Sequence, residues 1–294
     1  MLTININLDD RKGFYSVLKA FDGVDKKQDI TLNLNHKCGK SIQVEKYPVL
    51  CSIVNEVRSL GFRVVVNLEI DYNCKQLQYA ARMGFLEVLG LKYNYPHAKH
   101  SSRGRFIEIE NIPMSVSGAY YPKESLTELF VTNFGFTKEE AQDVTLVIGE
   151  MGNNCVMHSE SKGGAMLYSQ KYNETKFLNL FLVDSGVGIV KGMLVNKKYD
   201  NLTEKQIFAK AFEFGEGNGR GYGQGLFLVS EFLRLNNGYL QILSGKYRCV
   251  IESGRKAIWT NASSYDGVII KLRIPYNIKF PIDKIMKIAT NDVT

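Results

Sequence analysis

Residues 1 to about 100 alternate strand-like and helix-like segments, and the alternation stops at "YNYPHAKHSSRGR", residues 93–105. That change of pattern limits the fold more than any single motif does. "TININL" alternates with period two and reads as a strand; "GFYSVLKAF" reads as an amphipathic helix. "DITLNLN" is a second strand. "PVLCSIVNEVRSLG" is a helix with Pro48 in its first turn and Gly61 at its end. "FRVVVNL" reads as a strand of the buried type, and "CKQLQYAARMG" as a helix closed by Gly84. Strands alternating with helices predict a small α/β layer domain over residues 1–95. The polar, Pro96-containing stretch 96–104 reads as a linker.

Beyond it the order differs. "RFIEIENI" is a strand, "KESLTELFVTNFG" a helix, and "TKEEAQDVTLVIGEMGNNCVMHS" a longer helix, which Thr137 and Glu140 can open with a capping box. Two strands follow, "AMLYSQKY" and "FLNLFLVDSG". Then come a long glycine-containing loop with one helix in it, the helix "LFLVSEFLRLNN" and a run of strands to Pro275. Helices grouped against a mostly antiparallel sheet predict an α+β sandwich over 105–280, with 281–294 left as a C-terminal tail.

Composition narrows the class. Of 294 residues, 45% are hydrophobic and 23% charged, as in ordinary globular chains, and no apolar run approaches the roughly 18–20 residues that span a bilayer. No basic segment followed by an apolar core opens the chain, so a secretory signal is not expected. The five cysteines form no C-x-x-C pair, which argues against a zinc or disulfide framework and for reduced thiols in the cytoplasm. A net charge of +7 permits nucleic-acid contact, but the lysines are scattered, and solvation accounts for them.

Within the long helix, Glu150, Asn154 and His158 stand at i, i+4 and i+8 and share a face, with Asn153 beside them. Leu146, Ile148, Met151, Cys155 and Val156 form the stripe expected to bury. By itself this describes any amphipathic helix with a wet side. "FLVDSGVGI" then puts Asp184 at the end of an apolar strand, ahead of Gly186 and Gly188. A carboxylate there can accept from an exocyclic amine, although a strand-to-turn junction uses Asp and Gly anyway. "GNGRGYGQGLFLVSEFL" sets Gly219, Gly221, Gly223 and Gly225 at alternate positions before a helix. Their N–H groups can face an anion, or the segment is simply a flexible loop. It is neither a Walker loop nor a dinucleotide fingerprint.

Together these three pieces resemble the nucleotide site of the GHKL ATPase/kinase superfamily, which includes DNA gyrase, chaperone ATPases, histidine kinases and anti-sigma-factor kinases. The E-x-x-x-N helix motif matches Glu150 and Asn154. The D-x-G-x-G box matches Asp184, Gly186 and Gly188. The G-x-G-x-G-L box matches Gly221, Gly223, Gly225 and Leu226. The resemblance covers about residues 105–275. It implies a C-terminal GHKL (Bergerat) α/β sandwich that binds ATP and Mg2+. Asn154 would be the metal ligand, Asp184 the adenine reader, and the later glycines the phosphate cradle. Residues 189–220 would be a mobile lid, and Arg220 reaches a phosphate or is solvated. His158 lines the phosphate end or lies at the surface. Glu150 would be the general base of an ATPase or would assist transfer to a side chain in a kinase. One departure stands out: Val268 occupies the place where the family commonly has a threonine supporting the adenine-binding Asp.

Residues 1–95 resemble a STAS-like domain in element order and in "YAARMGFLEVLGL". The phosphoacceptor serine of anti-sigma antagonists is missing from "VEKYPVL", and Ser41 lies several residues earlier. The resemblance thus implies a Mg-ATP-binding ATPase acting as a nucleotide-dependent switch through its STAS-like domain. A serine/threonine kinase of anti-sigma type and a non-hydrolysing ATP-binding module are the alternatives. The implied partners are ATP, a protein met through the STAS-like domain, and a second copy in a homodimer, with no membrane or nucleic acid.

Overall fold

A computed structural model of the chain describes residues 1–40, 43–94, 106–112, 123–172, 176–219 and 223–291. Ser41, the linker 96–104, Arg220 and Gly221 lie outside the described residues, as do the side chains of Asn153, Cys155 and Val156.

The N-terminal unit is built from β1 (Leu2–Asn7), α1 (Tyr15–Phe21), β2 (Ile30–Asn35), α2 (Lys46–Ser59), β3 (Val64–Leu68), α3 (Lys75–Arg82) and α4 (Phe85–Val88). Its three strands are parallel in the order β1-β2-β3, with Leu2 opposite Ile30 and Ile30 opposite Val64. Period-two alternation sends Ile4, Ile6, Ile30, Leu32 and Leu34 inward. The other face carries Asn5, Asn33 and Asn67, whose amides hydrogen-bond in a row across the strands. "FRVVVNL", expected to be buried, is half-exposed along Val64–Leu68. Among the described residues β3 is an edge strand with a neighbour on one side only, which its apolar sequence does not reveal.

The C-terminal unit adds β4 (Phe106–Ile112), α5 (Lys123–Phe134), α6 (Lys138–His158), β5 (Ala165–Tyr172), β6 (Phe177–Asp184), α7 (Gly188–Met193), α8 (Glu204–Lys210), α9 (Gly225–Leu235), β7 (Tyr239–Glu252), β8 (Arg255–Pro275) and α10 (Ile282–Asn291). Five antiparallel strands run in the order β4-β5-β6-β8-β7. The architecture is therefore mixed α+β, with one parallel and one antiparallel sheet. The predicted capping box opens α6. Thr137 N donates to Glu140 Oε2 at 2.8 Å, and Glu140 N donates to Thr137 Oγ1 at 3.2 Å.

Both faces of the five-stranded sheet are covered, and alternation along β6 shows how. Leu178, Leu180 and Leu182 join the core beneath α5, α6 and α9. Phe181 and Val183 point the other way, into the core of the N-terminal unit, with Met166, Tyr168, Leu243, Tyr265 and Ile269. The element filling that second layer is α2, which is buried nearly all round and touches β3 on one side and β5 and β6 on the other. Its Lys46 is fully buried, and the ammonium donates to the carbonyls of Asn7, Leu8 and Asp10 at 3.0, 3.1 and 2.6 Å.

Two expectations need correction. The segment assigned as a C-terminal tail contains α10, whose Ile282 and Ile285 are buried in the main core. The stretch 189–220, expected to be a loop with one helix, holds α7, a 3-10 turn at Lys197–Tyr199 and α8, and it buries Met193, Tyr199, Ile207, Phe208 and Phe212. Apolar side chains spaced through a glycine-containing loop anchor it to the core.

Candidate functional site

A cavity of about 460 Å³ opens between α6, the end of β6, the loop at 216–219 and the start of α9. The volume lies within the range of ordinary small-molecule sites. Glu150, Asn154 and His158 all line it, as their i, i+4, i+8 spacing requires. Leu146, assigned to the buried stripe, lines it too: four residues before Glu150, it belongs to the same face. Met151 also reaches the wall while Ile148 is fully buried.

Asp184 lies at the inner end of β6, 1% exposed, and its Oδ1 accepts from Gly186 N at 3.0 Å. The turn after it is pressed against the turn after α6. Val187 N donates to Ser159 O at 2.6 Å, and a Cβ on Gly186 would collide with that same carbonyl. Gly188 is on the cavity wall, whereas Gly186 is behind it. Ser244 Oγ, from β7, accepts from Ile189 N at 2.9 Å and donates to Gly267 O at 2.8 Å. Ser244 thus steadies the glycine turn. Val268 lies directly opposite Asp184 in the β6–β8 register, so no hydroxyl stands at that position.

Gly223, Gly225 and Leu226 complete the wall beside Gln224. Gly223 has φ of +64°, and a Cβ there would meet Glu216 O at 2.6 Å, so backbone packs on backbone at this point. A Cβ on Gly225 would lie 3.0 Å from Glu150 Oε2 and 3.2 Å from Asn154 Nδ2. The start of α9 is therefore held directly against the polar stripe of α6. Gly219 sits off the wall, near Asn196.

The loop at 216–218 supplies residues that no motif indicated. Asn218 Nδ2 lies 2.8 Å from His158 Nδ1 and ties the loop to the end of α6. Glu216 receives Tyr199 OH at 2.6 Å and Lys198 Nζ at 2.6 Å. Hydrogen bonds from Lys198 and then Tyr199 hold its carboxyl below the usual glutamate range. Gly217 N donates to Tyr199 OH at 3.0 Å. Ile282 and Met286 of α10 close the apolar end of the cavity with Leu146 and Leu228. These contacts join segments far apart in the chain, so local spacing carries no signal for them.

Charge on the wall is one-sided. Glu150, Asp184 and Glu216 line the cavity, and no lysine or arginine does so among the described residues. Behind the Asp184 turn, Lys26 of the N-terminal unit donates to Ser185 O at 3.2 Å and Asp266 O at 2.9 Å. Burial pushes its pKa down.

Comparison of the chain with protein-family models and with curated proteins finds no match.

Proposed function

We propose that the chain is a GHKL-type ATPase: it binds Mg-ATP in the cavity between α6, β6 and α9 and uses it as a regulatory switch through its STAS-like unit. The observation that carries this reading is the convergence of Asn154, Asp184 and Gly223 on one cavity of about 460 Å³, although they are distant along the chain. An acidic wall repels a polyphosphate unless a hard cation is bound with it. Mg2+ needs only one or two protein oxygens and keeps several waters, so it does not require a cluster of three ligating side chains, and none occurs among the described residues. In this reading the Asn154 side-chain oxygen would hold the metal, which would supply positive charge against the phosphates. The buried Asp184 accepts from the adenine amino group. The N–H groups opening α9 face the phosphates, and the missing Cβ of Gly225 leaves room beside Glu150 and Asn154. Glu150 orients and deprotonates a water.

The switch reading draws support from α2. Ser52 lies 3.0 Å from Ser185, and Glu56 accepts from Ser161 Oγ, Lys162 N and Gly163 N at 2.6, 3.2 and 2.7 Å. The N-terminal unit therefore grips both turns that shape the cavity. Titration calorimetry with Mg-ATP tests the site: Asn154→Ala abolishes binding, and unchanged binding overturns the assignment. Glu150→Ala retains binding and slows hydrolysis. ATP labelled at the γ-phosphate releases inorganic phosphate; label retained on a protein turns the reading to phosphotransfer.

A further inference from the structure

The three-stranded sheet of the N-terminal unit has two open edges, and they match each other. Neither β1 nor β3 has a strand on its outer side among the described residues. Across the exposed face, Asn67 Nδ2 donates to Asn33 Oδ1 at 2.9 Å, and Asn33 Nδ2 donates to Asn5 Oδ1 at 3.0 Å. The row therefore runs one way. It ends in the Asn5 amide donors at the β1 edge and in the Asn67 amide oxygen at the β3 edge. The backbone keeps the same phase. Leu2 N donates to Asp29 O at 3.0 Å, so Leu2, Ile4 and Ile6 turn their backbone groups to β2, and Thr3 and Asn5 turn theirs outward. Ile30 N donates to Arg63 O at 2.9 Å, so Val65 and Asn67 turn to β2, and Val64, Val66 and Leu68 turn outward. Neither Leu2–Asn7 nor Val64–Leu68 contains a charged residue or a proline, the usual guards of an exposed edge.

We propose that the chain assembles head to tail, with β1 of one copy pairing in parallel with β3 of the next. Setting Asn5 of the second copy opposite Asn67 meets the polar, backbone and apolar requirements together. The Asn5 amide donates to the Asn67 oxygen, so the row continues from copy to copy, as in stacked in-register strands. The outward N–H and C=O groups of Thr3 and Asn5 interleave with those of Val64, Val66 and Leu68, the alternation that parallel pairing needs. A shift by one residue breaks that phase and turns the asparagines to opposite faces. Leu2, Ile4 and Ile6 fall opposite Val64, Val66 and Leu68. Ile4 and Ile6 are core residues, and the three β3 side chains are half-buried against the same core, so the joined sheets share one apolar layer. The two edges are also complementary in polarity, a donor end against an acceptor end. Pairing β3 with β3 of another copy joins two acceptor ends and leaves both donor ends unused. Because the contact joins two different surfaces, it repeats: copies add until a ring closes or a filament grows.

The test is sedimentation velocity on the full-length chain, without nucleotide, at rising concentration. The weight-average mass should climb from that of one chain past that of two. Thr3→Pro removes an outward N–H from the β1 edge, and Val66→Pro removes one from the β3 edge. Neither N–H faces β2, so both variants should keep the wild-type circular dichroism. Each variant alone stays a single chain, because it retains only one working edge. Mixed in equal amounts, the two form a one-to-one pair and stop there. If a proline variant melts early, Thr3→Lys or Val65→Lys guards the same edge with a charge on the Asn67 side of the sheet and gives the same readout. The proposal is overturned if the wild type keeps the mass of one chain up to its solubility limit, if growth stops at two copies, or if the mixed variants stay apart. It also falls if Thr3→Pro pairs with itself, since β3 then meets β3.

Discussion

Ser52 Oγ, on the helix shared by both sheets, lies 3.0 Å from Ser185 Oγ, one residue past the buried Asp184. Ser185 Oγ is in turn 2.8 Å from Tyr265 OH, whose pKa burial pushes up. Three hydroxyls from α2, the turn after β6 and β8 thus form a chain across the layer between the sheets, which helps to set the docking of α2.

Glu56 carries the larger share of that seam. Glu56→Ala leaves the Lys162 and Gly163 amides without their acceptor, while the Ser161 hydroxyl keeps Gly164 O at 3.1 Å. The expected loss is about 3 kcal/mol in urea unfolding, since each buried unsatisfied group costs about 1–3 kcal/mol. A change below about 0.5 kcal/mol, the level of a neutral surface substitution, would show that the seam contributes nothing.

Gly225→Ala separates stability from binding. The position is helical, so alanine favours the fold by up to about 1 kcal/mol. Its Cβ, however, meets Glu150 and Asn154 at 3.0 and 3.2 Å and displaces both by a few tenths of an ångström. Thermal stability should hold or rise while Mg-ATP affinity falls about tenfold, an effect of about 1.4 kcal/mol. Full affinity in a folded variant would remove the start of α9 from the site.

Val268→Thr restores a hydroxyl opposite Asp184. Preference for ATP over GTP in competition binding should rise about tenfold, the value of one well-placed hydrogen bond, at about 1 kcal/mol in stability. An unchanged ratio would mean that Asp184 does not read the base.

Glu216 gives a pH signature. Its folded pKa is depressed, so its contribution is fully present at neutral pH and is lost as pH falls from the ordinary glutamate value of about 4.3 through the lowered one. The pair with Lys198 is partly exposed, with side chains 23% and 44% accessible, so the effect on global stability stays well under about 1 kcal/mol. It should appear locally: protection of the Gly217 amide against hydrogen exchange drops below about pH 4, and Glu216→Gln lowers it already at pH 7. Equal protection in the variant would place the loop under the control of Tyr199 and the Asn218–His158 contact instead.

The sequence by itself determined most of the elements and, where a clear period stood, the face each one presents. Thr137 and Glu140 cap α6 because a capping box needs only residues three apart, and Glu150, Asn154 and His158 share a side because a helix repeats every 3.6 residues. "FLNLFLVD" read as an apolar strand, and β6 buries both of its faces. Only the tertiary structure decided what covers those faces. It set α2 between two sheets, folded 282–291 onto the cavity, fixed α7 and α8 in the core, and brought Asn218 to His158 across 60 positions of chain. Local periodicity reports that a surface is apolar or polar. Which partner removes it from water depends on long-range packing, where any of several apolar faces satisfies the same hydrophobic demand.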